Sequence, residues 1–341
     1  MTRPQRVTIY DIAKEAGVSS GTVSRVIQEK GRVAPATRAR VKNVMQSLGY
    51  QPNLAARSIR VQHTNMIGLL IPDFANPLFA TVAKAAEDVF MKAGYLLFVS
   101  SSSRSPEREL RLLDHVRQRR MDGVIMSLSD ERDPAVIQAL NRLGAPVVLL
   151  DRDAGINADV VYSEHAEPMN RIVRHLFDLG HRRIGLITAT TSIRPGRERV
   201  RGYVEAHACA GLDVDPGLVA CQAQSSEYGH KEVHRMLSLP DPPTALIAGG
   251  NEILYGVQQA LSLRALSVPT DISLIGSDER LVSERVSPPI TVIDRDMSAV
   301  GRTAAELLLD RLLQGDAAPP KTITLPSEIV FRASIAPPCR P

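Results

Sequence analysis

The chain has 341 residues, of which 44% are hydrophobic, 23% charged and 4% aromatic, with no Trp and a formal net charge of +4. This length exceeds one ordinary core and predicts two or three domains of a soluble globular protein. No apolar run of about 18 residues occurs, and Met1-Thr2-Arg3-Pro4 leads into a polar helix. A membrane partner and a signal-peptide core are therefore not expected, and the expected location is the cytoplasm. Cys209, Cys221 and Cys339 are widely spaced and form no CxxC pair, so buried or incidental thiols are expected, not a disulfide or a metal site.

In chain order, the first predicted element runs over Tyr10–Ala16, with Ile12, Ala13 and Ala16 on one helical face. Gly17 ends it, Val18 turns inward and Ser19 can cap a second helix. In that second helix Val23, Val26 and Ile27 face the first, leaving Ser20, Gly21, Ser24 and Arg25 outside. Small polar residues at an exposed helix start, with an arginine one turn later, suit the DNA major groove. The pair reads as a helix-turn-helix. Residues 37–48 place Val41, Val44, Met45 and Leu48 at helical spacing, a third helix able to close a small core. Gln51-Pro52-Asn53 then breaks the chain, and Leu54–Arg60 is a short basic segment too weak to form a stable helix alone.

Charge follows the same division. Residues 1–60 hold 11 basic and 3 acidic residues, whereas the remainder holds 30 basic and 34 acidic. A basic segment confined to the helix-turn-helix is the footprint of phosphate binding. From Met66 the texture changes. Short apolar runs at Met66–Ile71, Tyr95–Ser100, Gly123–Met126 and Pro146–Leu150 alternate with amphipathic stretches at 77–93, 106–119 and 134–143. The rhythm restarts with strands at Ile184–Thr188, Ala245–Ala248, Ser273–Ile275 and Thr291–Ile293. Helices fall near 165–180, 197–210, 226–238, 252–265 and 297–314. Alternation of this kind makes parallel sheets flanked by helices, here two α/β subdomains with a cleft between them. The Pro-rich stretch 336–341 reads as a loose tail.

The segment 8–27, continued by Ala34-Pro35-Ala36-Thr37-Arg38, Leu48–Asn53 and Ala55-Ala56-Arg57-Ser58, resembles the DNA-binding domain of the LacI/GalR (lactose-repressor) family. Asn65–Gly68, Ile71-Pro72-Asp73, Asn76–Phe79, Asp122–Ile125, Leu149–Arg152, Gly180–Gly185, Arg199–Tyr203 and Ser273–Asp278 resemble that family's periplasmic-binding-protein-like type I core. The likeness spans about residues 6–332. It implies a small all-α helix-turn-helix domain over 1–61, with a hinge at 54–60, and an effector-binding and dimerisation core of two α/β subdomains over 62–335. The implied function is a sequence-specific transcriptional regulator, expected to repress. Its partners would be a near-palindromic double-stranded operator, a small-molecule effector and a second copy of itself, with no cofactor and no catalytic activity.

Residue by residue, the resemblance gives base reading to Ser20, Gly21 and Arg25. Arg25 could fork onto guanine or clamp a phosphate. Gly21 stands where relatives often carry larger side chains. Ser19, Thr22, Ser24, Thr37, Tyr50 and Asn53 match positions that set the protein on phosphates. Ala55, Ala56 and Ile59 fall in the hinge, where Ile59 replaces the usual wedging leucine and is either a wedge or a plain linker residue. Asp151, Arg199 and Asp278 match polar cleft residues, with Asp73, Phe79 and Ser127 on the first subdomain's wall. Gln224 and Met297 stand where relatives often place aromatics, and Asn251, after Gly250, replaces part of a common Asn-Asp pair. Arg197 nearby suggests an anionic ligand such as a sugar acid. Each could instead be structural. The dimer is expected through the core, using the helix beginning near Pro77 and segments around Leu254 and Leu281.

Other motifs carry less. Gly17–Gly21 matches the G-x-S-x-G of hydrolases but lies between two helices, where no strand-to-helix elbow can form. No G-x-G-x-x-G or P-loop occurs. His230 and His234, with Glu227, have metal spacing but no evident further ligand and read as surface residues, with no metal expected. His181 reads as a cap on helix carbonyls, favoured by the negative helix end. A solute-binding protein would share the cleft but lack the basic helix-turn-helix, and an enzyme on the same scaffold would need a catalytic constellation that is not visible.

Overall fold

A computed structural model of the chain describes residues 7–27, 31–50, 63–278, 284, 286–314 and 319–339. The chain divides into two compact units, Met1–Thr64 and Asn65–Pro341. The first contains α1 (Ile9–Glu15), α2 (Ser20–Ile27) and α3 (Pro35–Ser47). Thr8 and Asp11 form a reciprocal capping box at the start of α1, and Ser19 Oγ accepts the Thr22 amide at 3.2 Å to start α2. Gly17 takes φ +61° at the turn between them, a conformation that favours glycine. Ile12, Ala13, Ala16, Val23, Val26 and Val41 are buried together, the small core expected from their spacing. Helix α3 begins two residues earlier than the periodicity suggests, because Pro35 supplies a ready first turn.

The second unit holds two six-stranded sheets. The first is built from β1 (Met66–Ile71), β2 (Leu96–Ser101), β3 (Gly123–Met126), β4 (Val147–Leu150), β5 (Asp159–Ser163) and, from the end of the chain, β11 (Thr322–Leu325). Its order is β11-β5-β4-β3-β1-β2, with all neighbours parallel. The second contains β6 (Ile184–Thr188), β7 (Val219–Ala220), β8 (Ala245–Gly249), β9 (Ser273–Ser277), β10 (Thr291–Arg295) and β12 (Ser327–Val330), in the order β12-β10-β9-β8-β6-β7. Only β12 runs antiparallel to its neighbour. The central strands are apolar on both faces because helices cover both sides.

Helices α4 (Pro77–Lys92), α5 (Pro106–Gln118), α6 (Pro134–Asn141) and α11 (Met297–Gln314) accompany the first sheet. Helices α7 (Ala166–Asp178), α8 (Arg194–Cys209), α9 (Ser226–Met236) and α10 (Asn251–Leu263) accompany the second. Proline opens α4, α5 and α6, and the side chains of Asn76, Ser105 and Asp133 cap them. The chain crosses between subdomains three times, after β5, after β10 and between β11 and β12.

Two sequence readings change here. The stretch expected to be a loose tail is held through Cys339: Ser273 Oγ accepts the Ala336 amide at 3.1 Å, and the Cys339 thiol donates to the Thr270 carbonyl at 2.6 Å. His181 is buried, and although its backbone amide donates to the Leu176 carbonyl at 3.0 Å, its side chain caps no helix. Its Nε2 donates to the Ala336 carbonyl at 2.9 Å, and its Nδ1 meets Thr244 Oγ1 at 2.8 Å, tying that segment to the second subdomain. Burial pushes its pKa down, so it acts as a neutral ring and not as a charge at a helix end.

Candidate functional site

In the first unit, burying Val23 and Val26 fixes which side of α2 is left to solvent. Gly21 and Arg25 are exposed there, Ser20 is half-buried, and Ser19 and Thr22 share a hydroxyl contact of 3.0 Å at the helix start. Ser24 and Thr37 are half-buried, and Tyr50 packs against the small core, which leaves only its edge for a ligand. Asn53, Ala55, Ala56 and Ile59 lie outside the described residues.

In the second unit a cavity of about 430 Å³ opens where the carboxyl ends of both sheets meet. Ligands in open α/β sheets bind at such strand ends. Of the residues singled out from sequence, Phe79, Ser127, Asp151, Arg199, Gln224, Asp278 and Met297 line it. Asp73, Arg197 and Asn251 do not. Asp73 accepts Arg104 at 3.2 Å, and Arg197 pairs with buried Glu131 at 2.6 Å, so the charge that suggested an anionic ligand is spent on a neighbour. Asn251 is buried and exchanges two amide hydrogen bonds with Asn76 of the other subdomain, at 3.0 and 3.3 Å.

The floor of the cavity is an ion-pair cluster. Arg295, the last residue of β10, donates through Nε to Asp278 Oδ1 at 2.5 Å and through Nη1 to Asp151 Oδ2 at 2.6 Å. Arg199 donates through Nη2 to Asp278 Oδ2 at 2.7 Å and through Nη1 to the Gly249 carbonyl at 2.7 Å. Burial alone would raise both carboxyls, but neighbouring positive charge overrides it. Arg295 and then Arg199 hold Asp278 down to about 2, and Asp151 is held well below the carboxylate range by His165, 3.5 Å from its Oδ1, and then by Arg295, while the same Oδ1 accepts the Ser163 amide at 2.6 Å. Arg295 is the functional candidate that sequence reasoning missed. It falls between the expected strand Thr291–Ile293 and the expected helix at 297–314, flanked by Asp294 and Asp296, and no local pattern marks it.

Further contacts join the subdomains around the rim. Arg104 grips Glu252 with two bonds of 2.7 and 2.8 Å. The Arg194 guanidinium lies 3.9 Å from the Tyr162 ring centroid, and its backbone amide donates to Glu131 at 3.2 Å. Among the described residues no group of three or more His, Cys, Asp and Glu gathers at metal distance. His230 and His234 are half-buried instead of plainly exposed, and Arg264 Nε donates to His234 Nδ1 at 2.9 Å.

Residues 8–53 match the model of the bacterial regulatory proteins, lacI family, and residues 173–335 match the periplasmic binding protein-like domain. The transcriptional regulator DegA of Bacillus subtilis is 32% identical over 340 residues, covering 97% of this chain and 99% of that protein. The chain belongs to the LacI family. The transcriptional repressor PurR of Actinobacillus pleuropneumoniae is 34% identical over 331 residues, covering 96% of the chain and 98% of PurR. Among solved structures, the lac repressor dimer bound to operator and the anti-inducer ONPF superposes with a TM-score of 0.84 at 26% identity, covering 97% of this chain and all of that one. The transcriptional regulator CelR in complex with cellobiose gives 0.73 at 29% identity over 96% of this chain. The LacI-family architecture, a helical DNA-binding unit followed by a two-sheet α/β core, is thus that of a DNA-binding transcriptional regulator. No helix among the described residues is long and apolar enough to cross a membrane.

Proposed function

We propose that this chain is a homodimeric repressor whose grip on a near-palindromic operator is set by a small molecule in the core cavity. The observation that carries the reading is the cavity itself, walled by both subdomains and floored by Arg295, which holds one carboxylate from each. A ligand that engages this floor shifts the balance between subdomain arrangements, and it can do so only by its differential affinity for them. In the first unit, the exposed Gly21–Arg25 face of α2 is the reading surface. One such helix contacts too little DNA for tight specific binding, and a two-fold pair doubles the contacts.

The partner copy is expected on the edge of the first sheet, where Phe74, Met91, Leu96 and Phe98 are exposed around β2 and α4. Pro77 opens that helix, as the sequence reading had it. In the segment around Leu254, Leu254 itself is buried in the second core and the adjacent Tyr255 is exposed, so Tyr255 is the side chain there that a partner could meet; Leu281 lies outside the described residues. We read the domain limits as 1–64 and 65–341, a non-enzymatic role and a cytoplasmic setting as parts of the same account. Light scattering on the full chain, joined to selection from a random duplex pool, tests it. A dimer that enriches a two-fold symmetric sequence is expected. A monomer, or a pool with no enrichment, contradicts it.

A further inference from the structure

Four guanidiniums border the cavity, and three of them are balanced by carboxylates. Arg199 and Arg295 answer Asp278 and Asp151, while Arg104 answers Asp73 and Glu252. Arg152 is different. It directly follows Asp151 at the end of β4 and is 6% exposed. Its Nε donates to the Leu128 carbonyl at 2.5 Å and its Nη1 to the Asp151 carbonyl at 2.8 Å. Both partners are backbone dipoles, and no carboxylate among the described residues lies within ion-pair distance. Its Nη2 donates to no described group, and the residue lines the cavity.

Two further buried acids on this side act on Arg152 through space, but neither touches it. Glu131 accepts Arg197 at 2.6 Å together with the amides of Asp153 and Arg194. Glu109 accepts the amide and hydroxyl of Ser129, at 2.7 and 2.6 Å. A buried charge satisfied only by carbonyls is costly, and a ligand that supplies the opposite charge recovers that cost. Beside it Ser127 is also buried and lines the cavity, and its hydroxyl makes no hydrogen bond among the described residues. Two unused donors, one of them cationic, therefore share one wall.

We infer that the cavity takes a small hydroxylated carboxylic acid, its carboxylate on Arg152 and Ser127 and its hydroxyls toward Asp151 and Asp278. This rests on reading the cavity as the effector site. Arg152 Nη2 and the Ser127 hydroxyl, two donors on one wall without a partner among the described residues, match the two oxygens of a carboxylate. A volume of about 430 Å³ is near the small end for ligand pockets and suits a single ring or short chain. Arg197, the cation singled out from sequence, has no part in it.

The test uses the full chain in calorimetry and thermal unfolding with D-gluconate, D-glucuronate and D-galacturonate. Each acid is compared with its neutral parent, D-glucose or D-galactose, and with glucose 6-phosphate. At least one acid is expected to bind and to raise the melting temperature while its parent does not. Arg152→Gln should weaken that acid on the order of 30-fold or more, the effect of removing one partner from a buried charged hydrogen bond. Arg152→Lys should recover part of the loss, and Ser127→Ala, which keeps the buried charge, should weaken the acid even if the Arg152→Gln protein fails to fold. The inference is overturned if no acid outperforms its parent, if the phosphate ester binds in preference to every carboxylate, or if Arg152→Gln binds the acid like the wild type. A neutral sugar that binds in place of the acids overturns the carboxylate site and leaves the effector cavity standing.

Discussion

Asp151 and Asp278 stand at the carboxyl ends of corresponding strands in the two sheets, and both adopt a left-handed backbone, with φ of 50° and 71°. Such a conformation is uncommon outside glycine and asparagine-like residues. Here it turns two carboxylates from separate subdomains onto one guanidinium, that of Arg295. The strain resides where the subdomains meet, which is where a ligand can bias their arrangement.

Removing that guanidinium should be costly. Arg295→Met leaves Asp151 and Asp278 buried, with Arg199 alone to answer Asp278. Breaking one partner of a buried ion pair costs about 3–5 kcal/mol. Denaturant unfolding should register a loss of that order, and Arg295→Lys should restore only part of it because an ammonium cannot fork onto both acids. Unchanged stability in Arg295→Met would show that the cluster does not hold the subdomains together.

Mild acid should destabilise the core. Burial pushes His181 and His207 below the ordinary histidine range, so both are neutral in the folded chain. Below about pH 6.5 the unfolded chain takes up more protons, so their stability contribution is complete above that pH and is lost as pH falls. The melting temperature should drop between pH 7.5 and 5.5, with a shallower slope in His181→Gln. Asp278, held at about 2, adds a second loss at lower pH, as its carboxylate is protonated between the unfolded value near 4 and about 2. A melting temperature that is flat or rises from pH 7.5 to 5.5 would contradict the histidine assignment.

Close helix contacts depend on glycine. A Cβ at Gly256 on α10 would lie 1.9 Å from the Ser226 carbonyl oxygen, and one at Gly301 on α11 would lie 2.3 Å from that of Val82. The obstacle in both places is backbone, which cannot swing aside like a side chain. Gly256→Ala should therefore cost at least the roughly 1–3 kcal/mol typical of overpacking, measured by denaturant unfolding. A neutral substitution would mean that the helices separate freely.

Much of the architecture was legible because central strands and amphipathic helices carry strong local signals. The apolar runs of β1, β3, β4, β6 and β8 lie in the residues expected, and the burial of Ile12, Ala16, Val23 and Val26 follows their spacing. Strands β5, β11 and β12 escaped notice because they are short and half-covered, with alternating residues that the sequence does not distinguish from loop. The cavity was legible only in part. Asp151 and Arg295 are 144 residues apart, and no local pattern reveals that they meet. Arg197 and Arg152 look alike as sequence, yet one is paired directly with Glu131 and the other donates only to backbone carbonyls, a distinction set by tertiary packing alone.

The central claim is that the exposed face of α2 reads DNA sequence. Measuring affinity of the full chain across single-base variants of its selected duplex tests it most directly, with Arg25→Ala and Thr37→Ala beside the wild type. Arg25→Ala should cost about 1–3 kcal/mol and relax preference at one base pair of each half-site, whereas Thr37→Ala should weaken all variants alike. Equal losses across every variant for Arg25→Ala, or no loss, would contradict the account.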